Sequence, residues 1–432
     1  MKRLTSLFST LLVAGFIATS CAPATATPIQ GQPDLLPRIE MTEGPAEKLV
    51  SIGFTTSLTG NLSQEARKQS NGFLLWMDDV NKRGGLLLDN NIIVKFEPKF
   101  YDDQSDSNQA ISLYEKLVLD DNVTFLFSPY SSTLADVVAP IANQNQKIMI
   151  SAGAASDSIF KKGYSGIYQI YTPASKYLND SLDLLAKKDP TAKRIAIIYE
   201  NDRFSTGVVE SLKNYAESRG FEIVAFESYN SDTTDFVPLI KKLIEIAPDA
   251  IFGGGHAADG QALAKQVYEN SLTVQFMALL VAPADSSFIN IGQGAIGVVG
   301  ASQWEPTVQF EVNFGPSVVS FNQAYQAAYS EEPTYHAAGG YAAGLVLEKA
   351  LLEAGSLDQQ KIKAALDNTN IVTFFGPIRF ERSEASHGLQ IGRKMIYIQW
   401  QRSPDGTFIK QIVWPEEGKS ADLIYPMRSN SP

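Results

Sequence analysis

Beyond Lys48 the chain alternates short runs rich in β-branched and aromatic residues with amphipathic helices, and it does so twice; few architectures accept that order. The first series places strands at 49–54, 92–100, 123–127 and 147–151. Helices lie between them: one ending at Lys82 before Gly84-Gly85, then 108–119 and 133–144. Within the helix ending at Lys82, Phe73, Trp76, Met77 and Val80 fall at i, i+3, i+4 and i+7, a stripe that reads as core. The series restarts after Tyr171. Strands at 194–199, 221–226, 249–253, 274–281 and 298–303 alternate with helices at 177–187, 206–219, 236–246, 259–270 and 284–291. Helices at 318–329, 335–354 and 359–366 follow, and β character runs from 378 through 400 and again over 408–414. A β-α-β series requires right-handed crossovers and a parallel sheet covered on both faces, so the expected fold is α/β, with two doubly wound parallel-sheet lobes.

The first 47 residues stand outside this pattern. Met1-Lys2-Arg3 and the mostly apolar stretch 4–17, ending in Ala18-Thr19-Ser20, have the form of an export signal, too short to span a bilayer as a mature helix. Cys21, the one cysteine of the chain, follows directly, so the body carries neither a disulfide nor a thiolate metal cage. Such a junction resembles a bacterial lipoprotein processing site, with Cys21 as the acylated N-terminus. Residues 22–47 hold Pro23, Pro28, Pro33, Pro37 and Pro45 with no apolar face, which reads as a tether. Acidic side chains exceed basic ones, 47 to 36, and no basic run stands anywhere to release phosphate counterions; a nucleic-acid partner is not expected.

Doubly wound sheets bind ligands beyond the carboxyl ends of their strands. The loops there are small and polar: Ser57-Leu58-Thr59-Gly60, Tyr101-Asp102-Asp103, Ser128 to Thr133, and Ser151 to Ser156. Ser131, Ser132 and Thr133 open a helix, so hydroxyls and free backbone N–H groups converge where the helix dipole favours an anion such as a carboxylate. Simple N-capping would select the same residues. Gly253-Gly254-Gly255-His256-Ala257-Ala258 has the form of a dinucleotide fingerprint, but the next strand ends in Leu and Val where the ribose would need an acid; glycine for close approach of a ligand is the reading adopted. His256, His336 and His387 are far apart in sequence and form no ligand pair. No metal, no cofactor and no enzymatic activity are expected.

Taken in order, Leu58-Thr59-Gly60, Asp78-Asp79-Val80-Asn81, Ser131-Ser132-Thr133, Ser151 to Ser156, Tyr199 to Asp202, Trp304-Glu305-Pro306, Pro333 to Tyr341 and Phe375 to Phe380 make the chain recognisable. It resembles the branched-chain amino acid-binding (Leu/Ile/Val-binding) family of type I periplasmic binding proteins, the substrate-binding lipoproteins of ABC transporters. The resemblance implies crossings near Tyr171, Trp304 and Gly376, giving lobe 1 as 48–171 plus 305–375 and lobe 2 as 172–304 plus 376–432. It implies a ligand site in which Ser131, Ser132, Thr133, Ala154, Ala155 and Ser156 hold the α-carboxylate and α-ammonium. Leu58, Tyr101, Asp202, Gly255, Trp304 and Tyr335 complete the expected set. One departure stands out: where the family adds an acid from the second lobe, residues 278–281 are Ala-Leu-Leu-Val. Either Asp202, Asp285 or Glu305 substitutes, or the ligand lacks an ammonium. The implied function is a monomeric solute-binding protein, lipid-anchored outside the cytoplasmic membrane, that delivers an amino acid or related carboxylate or amide to an ABC permease. The alternatives are a binding protein feeding a membrane receptor, or an anchored α/β hydrolase.

Overall fold

A computed structural model describes residues 44–89 and 91–427; Cys21, the signal and most of the tether lie outside them. The first series builds β1 (Ala46–Thr56), α1 (Ser63–Lys82), β2 (Leu86–Leu88), β3 (Ile92–Asp102), α2 (Ser107–Leu119), β4 (Phe125–Phe127), α3 (Ser132–Gln144), β5 (Met149–Ser151), α4 (Asp157–Phe160) and β6 (Ile167–Gln169). Its strands form one sheet in the order β2-β3-β1-β4-β5-β6, parallel except for β2, which pairs antiparallel with β3 at the edge.

The second series gives α5 (Asn179–Lys188), β7 (Arg194–Glu200), α6 (Arg203–Ser218), β8 (Glu222–Tyr229), α7 (Val237–Ile246), β9 (Ala250–Gly254), α8 (Ala257–Glu269), β10 (Phe276–Leu279) and β11 (Val299–Ser302). The chain then returns to the first sheet with α9 (Val318–Tyr329), α10 (Tyr335–Ala354) and α11 (Gln359–Asp367). After the hairpin of β12 (Asn370–Thr373) and β13 (Gly376–Arg379), it closes the second sheet with β14 (Ile396–Arg402) and β15 (Phe408–Trp414). That sheet runs β15-β14-β11-β10-β9-β7-β8, parallel at its centre and antiparallel where β14 and β15 join.

Two expected elements differ. The helix expected at 284–291 is instead 3₁₀ structure, Ala282–Ala284 and Ser286–Ala295, because Pro283 removes a donor and Gly292 takes φ 62°. The continuous β character expected from 378 is interrupted. Residues 380–392 leave the hairpin, make a single bridge between Phe380 and Gln390, and run beside β6, where Gln169 N donates to Gly388 O at 2.9 Å.

The two series meet along three crossing strands, tied together by the side chains of Gln303 and Arg393. Gln303 Oε1 accepts from Thr172 N at 3.0 Å and its Nε2 donates to Thr172 O at 3.3 Å, while Arg393 Nη2 donates to the backbone carbonyl of Gln303. Each crossing thus has a bond to another.

Helix α1 is fixed on its inner face. Phe73, Trp76, Met77 and Val80 are buried as the spacing requires, and Trp76 Nε1 donates to Glu348 Oε2 of α10 at 2.9 Å. The helices approach closely because glycine stands at the contact: a Cβ on Gly344 would lie 2.0 Å from Trp76 Cδ2. Gly344→Val should therefore lower the unfolding free energy by about 1–3 kcal/mol through overpacking. Urea unfolding of the variant measures this, and an unchanged midpoint would contradict the packing described.

Candidate ligand cleft between the lobes

The chemistry converges where the carboxyl ends of the two sheets face each other. Strand β4 ends at Phe127, and the chain turns through Ser128, Tyr130 and Ser131 into α3. Ser131 sits at φ 85°, ψ 150°, a conformation that costs a non-glycine residue of the order of 1–3 kcal/mol, and its Oγ caps the helix by accepting from Leu134 N at 3.3 Å. Capping is thus the work of Ser131. Ser132, the first helical residue, accepts instead from Ser156 N at 3.0 Å and so ties the two expected ligand loops together. Thr133 Oγ1 is buried without a partner. Ser156 caps the short α4.

From the second sheet, β7 ends in Glu200, with Asp202 at the N-cap of α6, and β9 ends in Gly253-Gly254, followed by Gly255 and by His256 at the N-cap of α8. The glycines have a different reason from the one expected. A Cβ on Gly253 would lie 1.9 Å from Ile198 O, and one on Gly255 would lie 2.2 Å from Glu200 Oε2 and 2.6 Å from Asp259 Oδ2. The close approach is therefore to the protein's own strand and carboxylates.

His256 is the electrostatic centre of the cleft. Its Nδ1 lies 3.1 Å from Tyr130 Oη of the opposite lobe, and its Nε2 lies 3.3 Å from Asp202 Oδ2 and 3.9 Å from Glu200 Oε2. Burial alone would drive the imidazole down. The hydrogen bond and charge of Asp202, with Glu200 and Glu65 beyond, outweigh it and push the group up to about 10. Both ring nitrogens then donate. Burial raises Glu65, Glu200 and Asp259, while His256 and the Ser205 bonds hold Asp202 below its ordinary value despite its burial.

Direct bonds between the lobes come chiefly from one end of α1. Gln64 Nε2 donates to Ser287 Oγ at 3.1 Å, Glu65 Oε1 accepts from Ala257 N at 2.9 Å, and Lys68 Nζ pairs with Asp285 Oδ2 at 2.5 Å. The last pair is almost fully buried, with side-chain exposures of 8% and 0%. On the other flank Asp136 holds Lys162 of its own lobe at 2.6 Å and Arg203 of the second lobe at 3.1 Å.

Aromatic rings fill the depth of the cleft. Tyr130, Tyr171, Tyr177, Phe204 and Tyr335 line its innermost cavity with His256, and Ser131, Ser132 and Ala155 complete the first-lobe wall. Burial holds the hydroxyls of Tyr130, Tyr171 and Tyr335 far above their ordinary range, so they remain protonated donors. Outside this cavity a polar chamber of about 610 Å³ opens between Ser131, Thr133 and Ser156 on one side and Glu200, Asp202 and His256 on the other.

The expected residues thus separate into groups. Ser131, Ser132, Thr133, Ala155, Ser156, Asp202 and Tyr335 line one or both of these spaces. Ala154 is buried, with its carbonyl accepting from Gln169 Nε2, and Gly255 is enclosed by Glu200 and Asp259. Leu58 is exposed at a different opening, beside Lys68 and Asp285. Tyr101 is turned away toward Asp121 and Lys116, and Trp304 is packed on Phe321 and Phe374 with its N–H on Phe374 O. Asp285 and Glu305, offered as substitutes for the missing acid, are held by Lys68 and by Lys410 at 2.7 Å.

Sequence reasoning missed Glu65, Lys68, Tyr130, Tyr177, Phe204 and the histidines. His256 and His336, far apart along the chain, stand on either side of Tyr130, with ring centroids 5.7 and 5.2 Å away. His336 is pushed down to about 3 by burial, and neither of its nitrogens has a partner. Among the described residues Glu200, Asp202 and His256 bring metal-ligating atoms within 4.8 Å of one another, a grouping hidden from a search for paired histidines.

The sign of the His256 shift sets a pH dependence. A folded value near 10 against 6.5 stabilises the folded state fully below 6.5, and the contribution fades as pH rises through about 10. Proton–carbon NMR of the imidazole should therefore show an imidazolium throughout pH 7–9 and a lower midpoint in Asp202→Asn. A midpoint near the ordinary value in the parent would refute the assignment.

A family profile described as periplasmic binding protein matches residues 49–405. Similar curated proteins include the Leu/Ile/Val-binding protein homolog 7 of Brucella melitensis, 23% identical over 394 residues and covering 88% of this chain and 95% of that protein. The leucine-, isoleucine-, valine-, threonine- and alanine-binding protein of Pseudomonas aeruginosa is 24% identical over 390 residues, covering 88% and 92%. Similar solved structures include a leucine-binding protein of Thermotoga maritima, with TM-score 0.71 at 19% identity over 85% of this chain and 99% of that one. Another is a Rhodopseudomonas palustris solute-binding protein in complex with benzoate, with TM-score 0.72 at 15% identity over 87% and 98%. With two doubly wound lobes facing a polar cleft and a profile spanning both, the chain belongs to the periplasmic binding protein family.

Proposed function

We propose that this protein is the extracytoplasmic solute-binding component of an ABC importer and captures an amino acid or a related small carboxylate or amide between its lobes. The observation that carries this reading is the cleft itself. Two anion-tolerant loops at Ser131–Ser132 and Ser156 face an imidazolium–carboxylate pair from the other lobe across a polar chamber of about 610 Å³. Relatives named for branched-chain amino acids, and structural neighbours solved with isoleucine or benzoate, support the same ligand classes. Lobe 1 comprises 48–171 with 305 to about 392, and lobe 2 the remainder. The bonds of residues 388–390 to β6 favour placing the last crossing at Arg393 rather than Gly376.

Capture works by differential binding. The open form presents the Ser131 and Ser156 loops; a ligand that touches both lobes stabilises the closed form in proportion to its additional contacts there, and the permease recognises that form. A thermal-shift screen of amino acids, amides and small organic acids should yield at least one ligand. Ser132→Ala should cost about 1 kcal/mol of stability, since it leaves the buried Ser156 N–H without its acceptor, and should weaken that ligand by about ten- to a hundredfold, the value of a charge-assisted hydrogen bond. Titration calorimetry decides between them: affinity within twofold of the parent would remove Ser132 from the site, and a screen without any ligand would remove the solute-binding reading.

The protein acts as a monomer held to the outer face of the membrane by acylated Cys21, with residues 22–47 as tether. No helix among the described residues is long and apolar enough to cross a membrane. Cys21→Ser should release the protein into the soluble fraction with ligand affinity intact; retention in the membrane pellet at parental levels would eliminate the anchor.

A further inference from the structure

The aromatic inner cavity of the cleft encloses only about 10 Å³, the room of one water, so a solute of amino-acid size lies in the outer chamber of about 610 Å³. That chamber is hydrophilic. Among the described residues Leu62 and Leu134 are the only aliphatic side chains in its wall, and both are buried in the core of the first lobe. Hydroxyls of Ser105, Ser107, Ser131, Thr133, Ser156 and Ser158 make up most of that side. A branched aliphatic side chain placed here would take polar groups out of water and find little apolar surface to lie against.

The second lobe supplies the charge. Helix α6 presents Arg203, Thr206, Gly207 and Glu210, spaced i, i+3, i+4 and i+7, along about 10 Å of the wall. Both cations of the chamber are matched: Arg203 by Asp136 of the first lobe at 3.1 Å, and His256 by Asp202 at 3.3 Å. Two acids are not. Glu210 is exposed to the chamber and has no ion pair or hydrogen bond among the described residues. Glu200, 3% exposed, has only Ser231 and, at 3.9 Å, the imidazole that it shares with Asp202; burial outweighs that imidazole and raises the carboxyl. Gly207 keeps the middle of the wall open. Glycine inside a helix costs stability, yet packing does not require it here, since a Cβ would meet only Ser156 Oγ at 4.0 Å.

We propose, resting on the solute-binding reading above, that the solute is an amino acid with a cationic side chain. Its carboxylate lies at the Ser131 and Ser156 loops and its α-ammonium faces Glu200. The alkyl chain passes over Gly207, and the terminal cation reaches Glu210. This class differs from the aliphatic amino acids for which the Pseudomonas aeruginosa relative is mainly named. The second-lobe acids meet both positive charges only when the lobes are closed on the solute, so the charge that sets specificity also favours closure.

Titration calorimetry of the full chain with L-lysine and L-norleucine tests this, because the two share a backbone and a carbon chain and differ in the terminal ammonium. Lysine should bind at least about tenfold more tightly. Glu210→Gln should shrink that ratio by about three- to fivefold, the value of a partly exposed ion pair. Gly207→Leu should weaken lysine by at least about tenfold with the urea midpoint at or above the parent's, because leucine favours the helix and fills only the chamber; should the midpoint fall, Glu210→Gln decides. Norleucine or L-leucine binding as tightly as lysine, a ratio unchanged in Glu210→Gln, or lysine affinity within twofold of the parent in a stably folded Gly207→Leu would overturn the proposal. Thermal-shift responses confined to aliphatic amino acids or benzoate would also overturn it and leave the solute-binding reading standing, whereas a screen without any ligand removes both.

Discussion

The ion pair between Lys68 and Asp285 is the interaction on which the arrangement of the two lobes most depends. Both groups are almost completely removed from water, so the pair cannot be loosened a little. Separation of the lobes either rehydrates both charges or leaves one of them stranded. The same helix that carries Lys68 carries Gln64 and Glu65, one turn earlier, to Ser287 and Ala257, while its opposite face is bound to α10 through Trp76 and Gly344. Helix α1 is therefore a rigid arm: its inner stripe fixes it in the first lobe, and its amino-terminal turns grip the second. A ligand in the cleft adds to a closure that the protein already makes with its own groups.

That arm explains why the family's expected second-lobe acid is not needed to draw the lobes together. In this chain negative charge arrives from several directions at once, from Glu65 on the first lobe and from Glu200, Asp202 and Asp259 on the second, and His256 gathers it. The imidazolium is buried yet charged because the bond and charge of Asp202, with Glu200 and Glu65 beyond, offset its desolvation penalty. Tyr130, bonded to that ring from the first lobe, makes the cation a bridge as well as a counter-charge.

Architecture was legible from the chain because it depends on local periodicity: the alternation of strands and helices, the buried stripe of α1 and the polar loops at strand ends all follow from residues close in sequence. The serine loops were legible for the same reason, since a helix start and its hydroxyls lie within four positions. Partners were not. His256 meets Tyr130 across 126 residues, and Lys68 meets Asp285 across 217; no local pattern marks either. Where a local pattern was present but ambiguous, context decided it. Gly253 and Gly255 at the end of β9 serve packing against β7, Tyr101 bonds Asp121 rather than lining the cleft, and Pro283 with Gly292 turns an expected helix into 3₁₀ structure.

The closed contacts also bear on what strength of ligand interaction the cleft requires. Apparent affinity is the intrinsic affinity of the closed form scaled by the fraction of molecules already able to adopt it. Bonds made by α1 raise that fraction, whereas the desolvation of Lys68 and Asp285, which closure takes out of water, lowers it. A chain with only the favourable set would close without its solute and transport nothing selectively. With only the unfavourable set, it would demand a ligand of very high intrinsic affinity and release it slowly to the permease. Their opposition keeps the two forms close in free energy, and a small polar solute with a few hydrogen bonds to each lobe is then sufficient to move the population from one to the other.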